Sequence, residues 1–420
     1  MAIEEAHSED LLLRYEHAIN PGLARVFRFM GLESVEATGH GAILVDEAGE
    51  EYLDLAGGYG VMIHGYRHPR IIAAAHHQLE RLGQSSRVLL NRPMVELAEA
   101  LAQVTPGDLS YTFFCNSGAE AIEAALKLSR AATRRSRWIS TDGAFHGKTM
   151  GALSVSGRRM YQAPFEPLVP GVTQVPFGDA DRLAQVMDAD VAAVIVEPIQ
   201  GEGGIIVPPL DYLGRVRSLC DEAGALMIAD EVQTGMGRTG RLFAVEHSGV
   251  VPDLLCLAKA LGGGIMPIGA VVGRPAVWKV FEEQPLIHTS TFGGSPLATA
   301  VALEALRVTL DEKLPERSER LGTLALSALQ ALKDRYPDVL TDVRGRGLMI
   351  GMEFPSAGVA GALMTELFQR HVLAVYTLNN ERVIRLIPPL VIGDAELGRA
   401  LDEIQSAVAS VAVYAKELEG

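Results

Sequence analysis

The chain has 420 residues, 48% of them hydrophobic and 21% charged, with a formal net charge of −15. That length exceeds a single simple core, and the composition excludes long disordered stretches. The negative charge argues against nucleic acid or an anionic membrane as a general partner, and no run of 18 apolar residues predicts a transmembrane helix.

In chain order, a helix is expected around residues 11–17, then a break at Asn20-Pro21-Gly22. Two short strands follow at 42–46 and 52–55, joined by a turn at 47–49. From about residue 60, helical stretches at 70–83, 94–105, 118–133 and 211–223 alternate with short apolar runs at 111–115, 137–141, 191–196, 225–229, 254–258 and 268–272. Val191-Ala192-Ala193-Val194-Ile195-Val196 is apolar throughout rather than alternating, as in a strand covered on both faces. The pattern predicts an α/β layer sandwich with a mostly parallel sheet. Beyond about residue 310, a helix at 316–335 leads to strands near 347–353, 374–376 and 383–386 and a final helix from 394. The N-terminal piece is expected to join this region as one smaller domain.

Cys115, Cys220 and Cys256 lie in or beside apolar runs with no CxxC pair, which argues against a disulfide framework or a zinc site and for a reducing cytoplasm. Residues 1–10 are acidic and lack an apolar core, so no secretory leader is expected there.

Several segments carry chemistry. Asn116-Ser117-Gly118-Ala119 stands between the strand at 111–115 and a helix. Free N–H groups and the helix dipole at such a start suit an anion, and Gly118 allows a phosphate to approach closely. An ordinary helix start capped by Asn116 or Ser117 is the alternative. In Asp142-Gly143-Ala144-Phe145-His146-Gly147-Lys148-Thr149, three residues separate the glycines where a nucleotide-binding P-loop needs four, so an NTPase is rejected. Phe145 either lies against an aromatic cofactor ring or packs as a loop aromatic. Glu197, Gln200 and Glu202 follow the run at 191–196, at the carboxyl edge where open α/β sheets keep ligands; solvated loop acids are the alternative.

Asp230 closes the run at 225–229, and Lys259 follows the run at 254–258, ahead of Leu261-Gly262-Gly263-Gly264. An acid and a lysine at the ends of buried strands are costly unless they meet something charged and reactive. Pyridoxal phosphate meets both. The lysine bonds its aldehyde, and the aspartate keeps its ring nitrogen protonated, so that the ring withdraws electrons from the bound amine. A surface lysine after a strand is the alternative for Lys259. His288-Thr289-Ser290-Thr291 adds hydroxyls suited to phosphate, and Arg385, inside an apolar strand, needs a carboxylate from protein or substrate.

In this order, from about Glu51 to Leu390, the segments resemble the class III aminotransferases, fold-type I pyridoxal-phosphate enzymes that act largely on ω-amino groups. The nearest branch is the putrescine, ornithine and acetylornithine one. The resemblance implies a three-layer α/β/α large domain over 61–310, a smaller α/β domain from 1–60 and 311–420, and a homodimer with shared active sites. It implies that Lys259 bonds the cofactor, that Asp230 pairs with the ring nitrogen, and that Val232 and Phe145 cover opposite ring faces. Ser117, Gly118 and Ala119 would hold the phosphate, joined by Thr291 from the neighbouring subunit, with Gln233 near the phenolic oxygen and His146 and Glu197 beside the cofactor. Tyr59, Lys148, Glu202 and Arg385 would face substrate. In the ornithine and 4-aminobutyrate members a glutamate and an arginine act as a gate, and at the matching positions Glu202 and Arg385 would be paired when an amine donor binds and apart when Arg385 grips the carboxylate of 2-oxoglutarate.

Lys148 stands where the ornithine, acetylornithine and 4-aminobutyrate branches usually carry arginine, and Ser295 where asparagine is common. The segment from Phe145 to Ser154, with Val175-Pro176-Phe177-Gly178 downstream, is closer to the putrescine branch, whose diamine donor has no carboxylate to clamp. The expected activity is ping-pong transfer of a terminal amino group from a diamine or ω-amino acid to 2-oxoglutarate. Alternatives are an acetylornithine, ornithine or 4-aminobutyrate aminotransferase, an aminomutase of the glutamate-1-semialdehyde type, and a non-catalytic cofactor-binding protein.

Overall fold

The computed structural model describes residues 8–418; residues 1–7, within the acidic start considered above, and 419–420 lie outside the described residues. Three sheets organise the chain. The first contains β1 (Glu36–His40), β2 (Ile43–Asp46) and β3 (Glu51–Asp54). The second contains β4 (Tyr111–Cys115), β5 (Arg137–Thr141), β6 (Val172–Val175), β7 (Val191–Val196), β8 (Leu226–Asp230), β9 (Leu254–Leu257) and β10 (Gly269–Gly273). Further on come β11 (Asp342–Arg346), β12 (Met349–Glu353), β13 (Val372–Leu373), β14 (Val375–Thr377) and β15 (Asn380–Leu386).

The seven-stranded sheet runs in the order β4-β10-β9-β8-β7-β5-β6. β10 is antiparallel to both neighbours and the remaining pairs are parallel, as the continuous apolar runs predict. All six residues of β7 are buried. Helices cover both faces. The helix Gly118–Thr133 buries Ala121, Ile122, Ala124, Ala125, Leu126, Leu128 and Ser129, and Trp138 of β5 donates its Nε1–H to Ser129 Oγ at 3.0 Å.

This topology places the site. Because β4, β5, β7, β8 and β9 point the same way, their carboxyl ends share one edge. Asn116-Ser117, the loop at 142–149, Glu197, Asp230 and Lys259 therefore converge there, at the edge where such sheets bind ligands. β10 starts at this edge, which adds residues 264–268.

The chain's two ends meet in the first sheet. β13 pairs parallel to β3, Val372 opposite Leu53, giving the order β1-β2-β3-β13. β11, β12, β15 and β14 form a third, antiparallel sheet, with Arg385 of β15 opposite Gly351 and Val375. Among the described residues no helix is long and apolar enough to cross a membrane, and the three cysteines are buried and free.

Several elements differ from expectation. Asn20 does break the first helix, but it also starts a second, Pro21–Met30, by accepting the N–H groups of Gly22 and Leu23 at 3.0 Å. The helix expected at 70–83 ends at Leu79, and that at 94–105 starts earlier, at Arg92, behind its cap Asn91. The strand expected at 225–229 is shifted by one residue and contains Asp230 itself. Helices Pro296–Asp311 and Ala357–Gln369 and strands β1, β6 and β11 go beyond the expected set.

Candidate active site

A cavity of about 510 Å³ opens at the shared strand edge. Ser117, Gly118, Ala119, Phe145, His146, Glu197, Glu202, Asp230, Val232, Gln233 and Lys259 all line it, so eleven of the fifteen residues that the resemblance assigns to the site come together.

Lys259, two residues after β9, is half-buried and has φ +45°, a left-handed backbone that side-chain-bearing residues avoid. Burial pushes its ammonium down to about 8; Glu202, Asp230 and Glu197 oppose that shift, and Arg385 adds to it. Asp230 is 4% exposed. Its Oδ2 lies 2.7 Å from His146 Nδ1, and its Oδ1 accepts the Val232 N–H at 3.0 Å. Glu197 accepts the N–H groups of Phe145 and Gly201, both at 3.0 Å, and burial pushes its carboxyl up to about 7, with the nearby Asp230 charge acting in the same direction.

Ser117 caps the helix Gly118–Thr133, its Oγ accepting the Glu120 N–H at 3.2 Å. The capped helix start also lines the cavity. A Cβ on residue 118 would stand 2.9 Å from Val232 Cγ1, so glycine is needed where the helix end faces the cavity.

Across the cavity, Arg385 is fully buried, and its Nη1 donates to Glu202 Oε1. Its Nε and Nη2 have no partner among the described residues. Glu202 Oε2 accepts the Leu378 N–H at 2.8 Å. The Arg385 guanidinium lies 5.0 Å from the centre of the Tyr59 ring. Gln233 Nε2 donates to the Tyr59 carbonyl at 3.2 Å.

Four singled-out residues do not line this cavity. Arg385 sits behind Glu202, and Tyr59 packs on Arg385 while remaining 51% exposed. Lys148 is exposed, its Nζ 4.4 Å from the centre of the Tyr161 ring and 6.0 Å from that of Phe145. Thr291 is exposed and outside its own chain's cavity. Sequence reasoning passed over Val61, the apolar wall Ile265-Met266-Pro267-Ile268 and the Leu378-Asn379 turn. The wall carried one signal, its position between the glycine run and β10.

The site suits pyridoxal phosphate by its own chemistry. It has a lysine of lowered basicity, a buried carboxylate, an open helix start for a phosphate and two side chains, Phe145 and Val232, to flank a ring. His146 Nε2 and Gln233 Oε1 are buried without partners among the described residues, polar atoms that a polar ligand would satisfy.

Comparison with known proteins agrees. The family model for class III aminotransferases matches residues 32–408. The chain belongs to the class III aminotransferases. A putrescine aminotransferase of Pectobacterium atrosepticum is 47% identical over 418 residues, covering 95% of this chain and 88% of that protein. The ornithine aminotransferase of Toxoplasma gondii superposes with a TM-score of 0.91 at 36% identity, over 97% of this chain and 96% of that one. An amine transaminase from an uncultivated Pseudomonas species, solved with pyridoxal phosphate bound, gives 0.84 at 31% identity, over 90% and 95% of the two chains. This aminotransferase is thus a pyridoxal-phosphate-dependent enzyme of the fold-type I architecture, taking an amine donor and a keto acid acceptor.

Proposed function

We propose that this aminotransferase moves a terminal amino group from a diamine, putrescine first, to 2-oxoglutarate, giving an aldehyde and glutamate. One observation carries the reading. Glu197, Glu202 and Asp230 line the cavity against Lys259 as the sole Lys or Arg in its lining among the described residues, and the charge of Arg385 is met by Glu202. With Arg385 held by Glu202, a donor carboxylate faces no free cation there, which suits a diamine that has no carboxylate to place. Lys148, where related branches carry a carboxylate-gripping arginine, rests outside on Tyr161. The similarity to a putrescine aminotransferase points the same way.

In this reading the bound cofactor supplies an electron sink that acidifies the C–H bond beside the donor nitrogen. Lys259 Nζ would hold the cofactor's aldehyde carbon and would be the base that moves the proton from the donor carbon. Asp230, oriented by His146, holds a proton on the ring nitrogen. Val232 and Phe145 flank the ring, Ser117, Gly118 and Ala119 take the phosphate, and Gln233 and Glu197 hold the remaining polar edge. Arg385 leaves Glu202 to grip the α-carboxylate of the acceptor, while Tyr59 and Lys148 border the substrate.

We further propose a homodimer in which the exposed Thr291 completes the phosphate site of a second copy, and a cytoplasmic location in keeping with three free thiols. The division into a large domain at 61–310 and a small one at 1–60 and 311–420 is likewise proposed, supported by the pairing of β3 with β13.

The test is a donor panel scored by glutamate formed from 2-oxoglutarate. Putrescine and cadaverine should lead. If both are inert while N-acetylornithine or ornithine reacts, the diamine assignment is wrong. Turnover without any added 2-oxo acid would instead indicate an aminomutase.

A further inference from the structure

Glu202 is held at two points, and the second leads away from the cavity. The turn Leu378-Asn379 joins β14 to β15, the strand that carries Arg385. Its inner side faces Glu202: the Leu378 N–H donates to Oε2 at 2.8 Å, and the Asn379 N–H donates to the Glu202 backbone carbonyl at 2.9 Å. The Asn379 side chain donates to the Gly143 carbonyl at 2.8 Å, tying the turn to the loop that bears Phe145. The outer side is gripped as well. Arg158 Nη1 and the Tyr161 hydroxyl, the latter at 3.1 Å, both donate to the Leu378 carbonyl. The Arg158 guanidinium also lies 5.5 Å from the centre of the Tyr161 ring and 3.6 Å from Glu381, which fixes its approach.

The carbonyl that Arg158 and Tyr161 grip shares a peptide group with the Asn379 N–H. Drawing electron density toward that oxygen strengthens the N–H as a donor to the Glu202 backbone, and the same contacts keep the Leu378 N–H aimed at the carboxylate. With the gate closed, Glu202 has two partners, Arg385 and Leu378. With Arg385 turned to an acceptor carboxylate, the Leu378 N–H is the partner left to the buried Glu202 anion. Any weakening of the turn therefore costs the open state more than the closed one.

We propose that Arg158 and Tyr161 are positioning residues that hold the Leu378-Asn379 turn, and through it Glu202, so that Arg385 is released for the dicarboxylate acceptor. The inference rests on the Glu202–Arg385 gate proposed above.

The experiment uses holoenzyme with Tyr161→Phe, Arg158→Met and Arg158→Lys. Binding of glutarate, an unreactive dicarboxylate, is measured by calorimetry beside KM for the amine donor. Tyr161→Phe and Arg158→Met should each weaken glutarate about three- to tenfold, the scale of one hydrogen bond, and raise KM for the 2-oxo acid in step. The donor KM should stay within about twofold, and Arg158→Lys should recover part of the loss. Equal losses for donor and glutarate, or none for glutarate, overturn the proposal. Arg385→Lys separates the two levels. If that change leaves glutarate binding intact, the gate itself is wrong. If it abolishes binding while Tyr161→Phe and Arg158→Met do nothing, only the anchoring role falls.

Discussion

At the carboxyl edge of the seven-stranded sheet, charged groups are cross-braced. Asp230 bonds His146 and the Val232 N–H, and Glu197 takes two backbone N–H groups. Across the cavity, on the third sheet, Arg385 has one carboxylate and two donors left without partners among the described residues. The carboxylates of the first region are held by contacts within the protein, which suits the fixed geometry that proton transfer requires. The second is under-satisfied, and a group with spare donors is one that a ligand's carboxylate can pull away. Arg238, also fully buried, likewise leaves Nε and Nη2 without partners among the described residues, but its Nη1 donates to the carbonyls of Leu348 and Pro388, at 2.9 and 2.6 Å, so it ties backbone segments together instead of pairing with a carboxylate.

The comparison can be broken most sharply at Lys259. Lys259→Ala should lower transamination by about 10²- to 10⁴-fold through lost proton transfer alone, read as glutamate formation, and should abolish borohydride fixation of the cofactor to the peptide bearing this residue. Activity within tenfold of the wild type would remove Lys259 from the chemistry.

On the other side of the cavity, Glu202→Gln leaves the Arg385 charge buried without its counter-ion. Breaking such a pair costs about 3–5 kcal/mol, visible in a denaturant midpoint, and the freed guanidinium should improve carboxylate-bearing donors such as ornithine relative to putrescine. An unchanged midpoint together with unchanged donor preference would mean that the second region is as braced as the first.

Lysine ionisation links the two regions. Burial lowers Lys259 to about 8, so its neutral form grows as pH rises toward that value. Uptake of pyridoxal phosphate by apoprotein, followed by absorbance, should accelerate by about tenfold per pH unit below the lysine's pKa and then level off. Replacing Arg385 with methionine removes a nearby cation and frees Glu202, both of which move the plateau to higher pH. A rate that ignores pH would place the lysine's proton elsewhere.

The smallest expected effect is at Glu231, buried beside Asp230 but bonded away from the cavity, to Thr234 and the Val245 N–H. Burial raises its carboxyl from 4.5 to about 7. The folded state thus binds this proton more tightly than the unfolded one, so its contribution to stability is present below about 4.5 and lost as pH rises through about 7. Glu231→Gln should flatten the dependence of the melting temperature on pH across that window and leave donor preference alone. An unchanged slope would assign the dependence to Glu197.

Much of the fold was legible. The runs at 111–115, 137–141 and 191–196 became strands with the same limits; of these 191–196 is apolar throughout because it is covered on both faces, whereas the others carry Thr112, Arg137, Ser140 and Thr141. The helix Pro296–Asp311 went unread because Ala298, Thr299, Val301, Ala302, Leu303, Ala305 and Leu306 are all buried, leaving no stripe of period 3.6. In Ala357–Gln369 the spacing of Val359, Ala360, Leu363, Met364 and Leu367 did carry that period, and it was passed over. β6, Val-Thr-Gln-Val at the end of the sheet, is too short and polar to stand out.

By itself the sequence determined the chemistry. A lysine and an aspartate closing apolar runs, and a small-residue helix start, are local features whose cost or purpose can be judged without a fold. Tertiary structure decided which of these groups share a cavity, that Lys148 rests on Tyr161 outside it, and that a turn at 378–379 reaches back to Glu202. Those outcomes depend on strand order and on contacts between residues far apart along the chain, which no local pattern encodes.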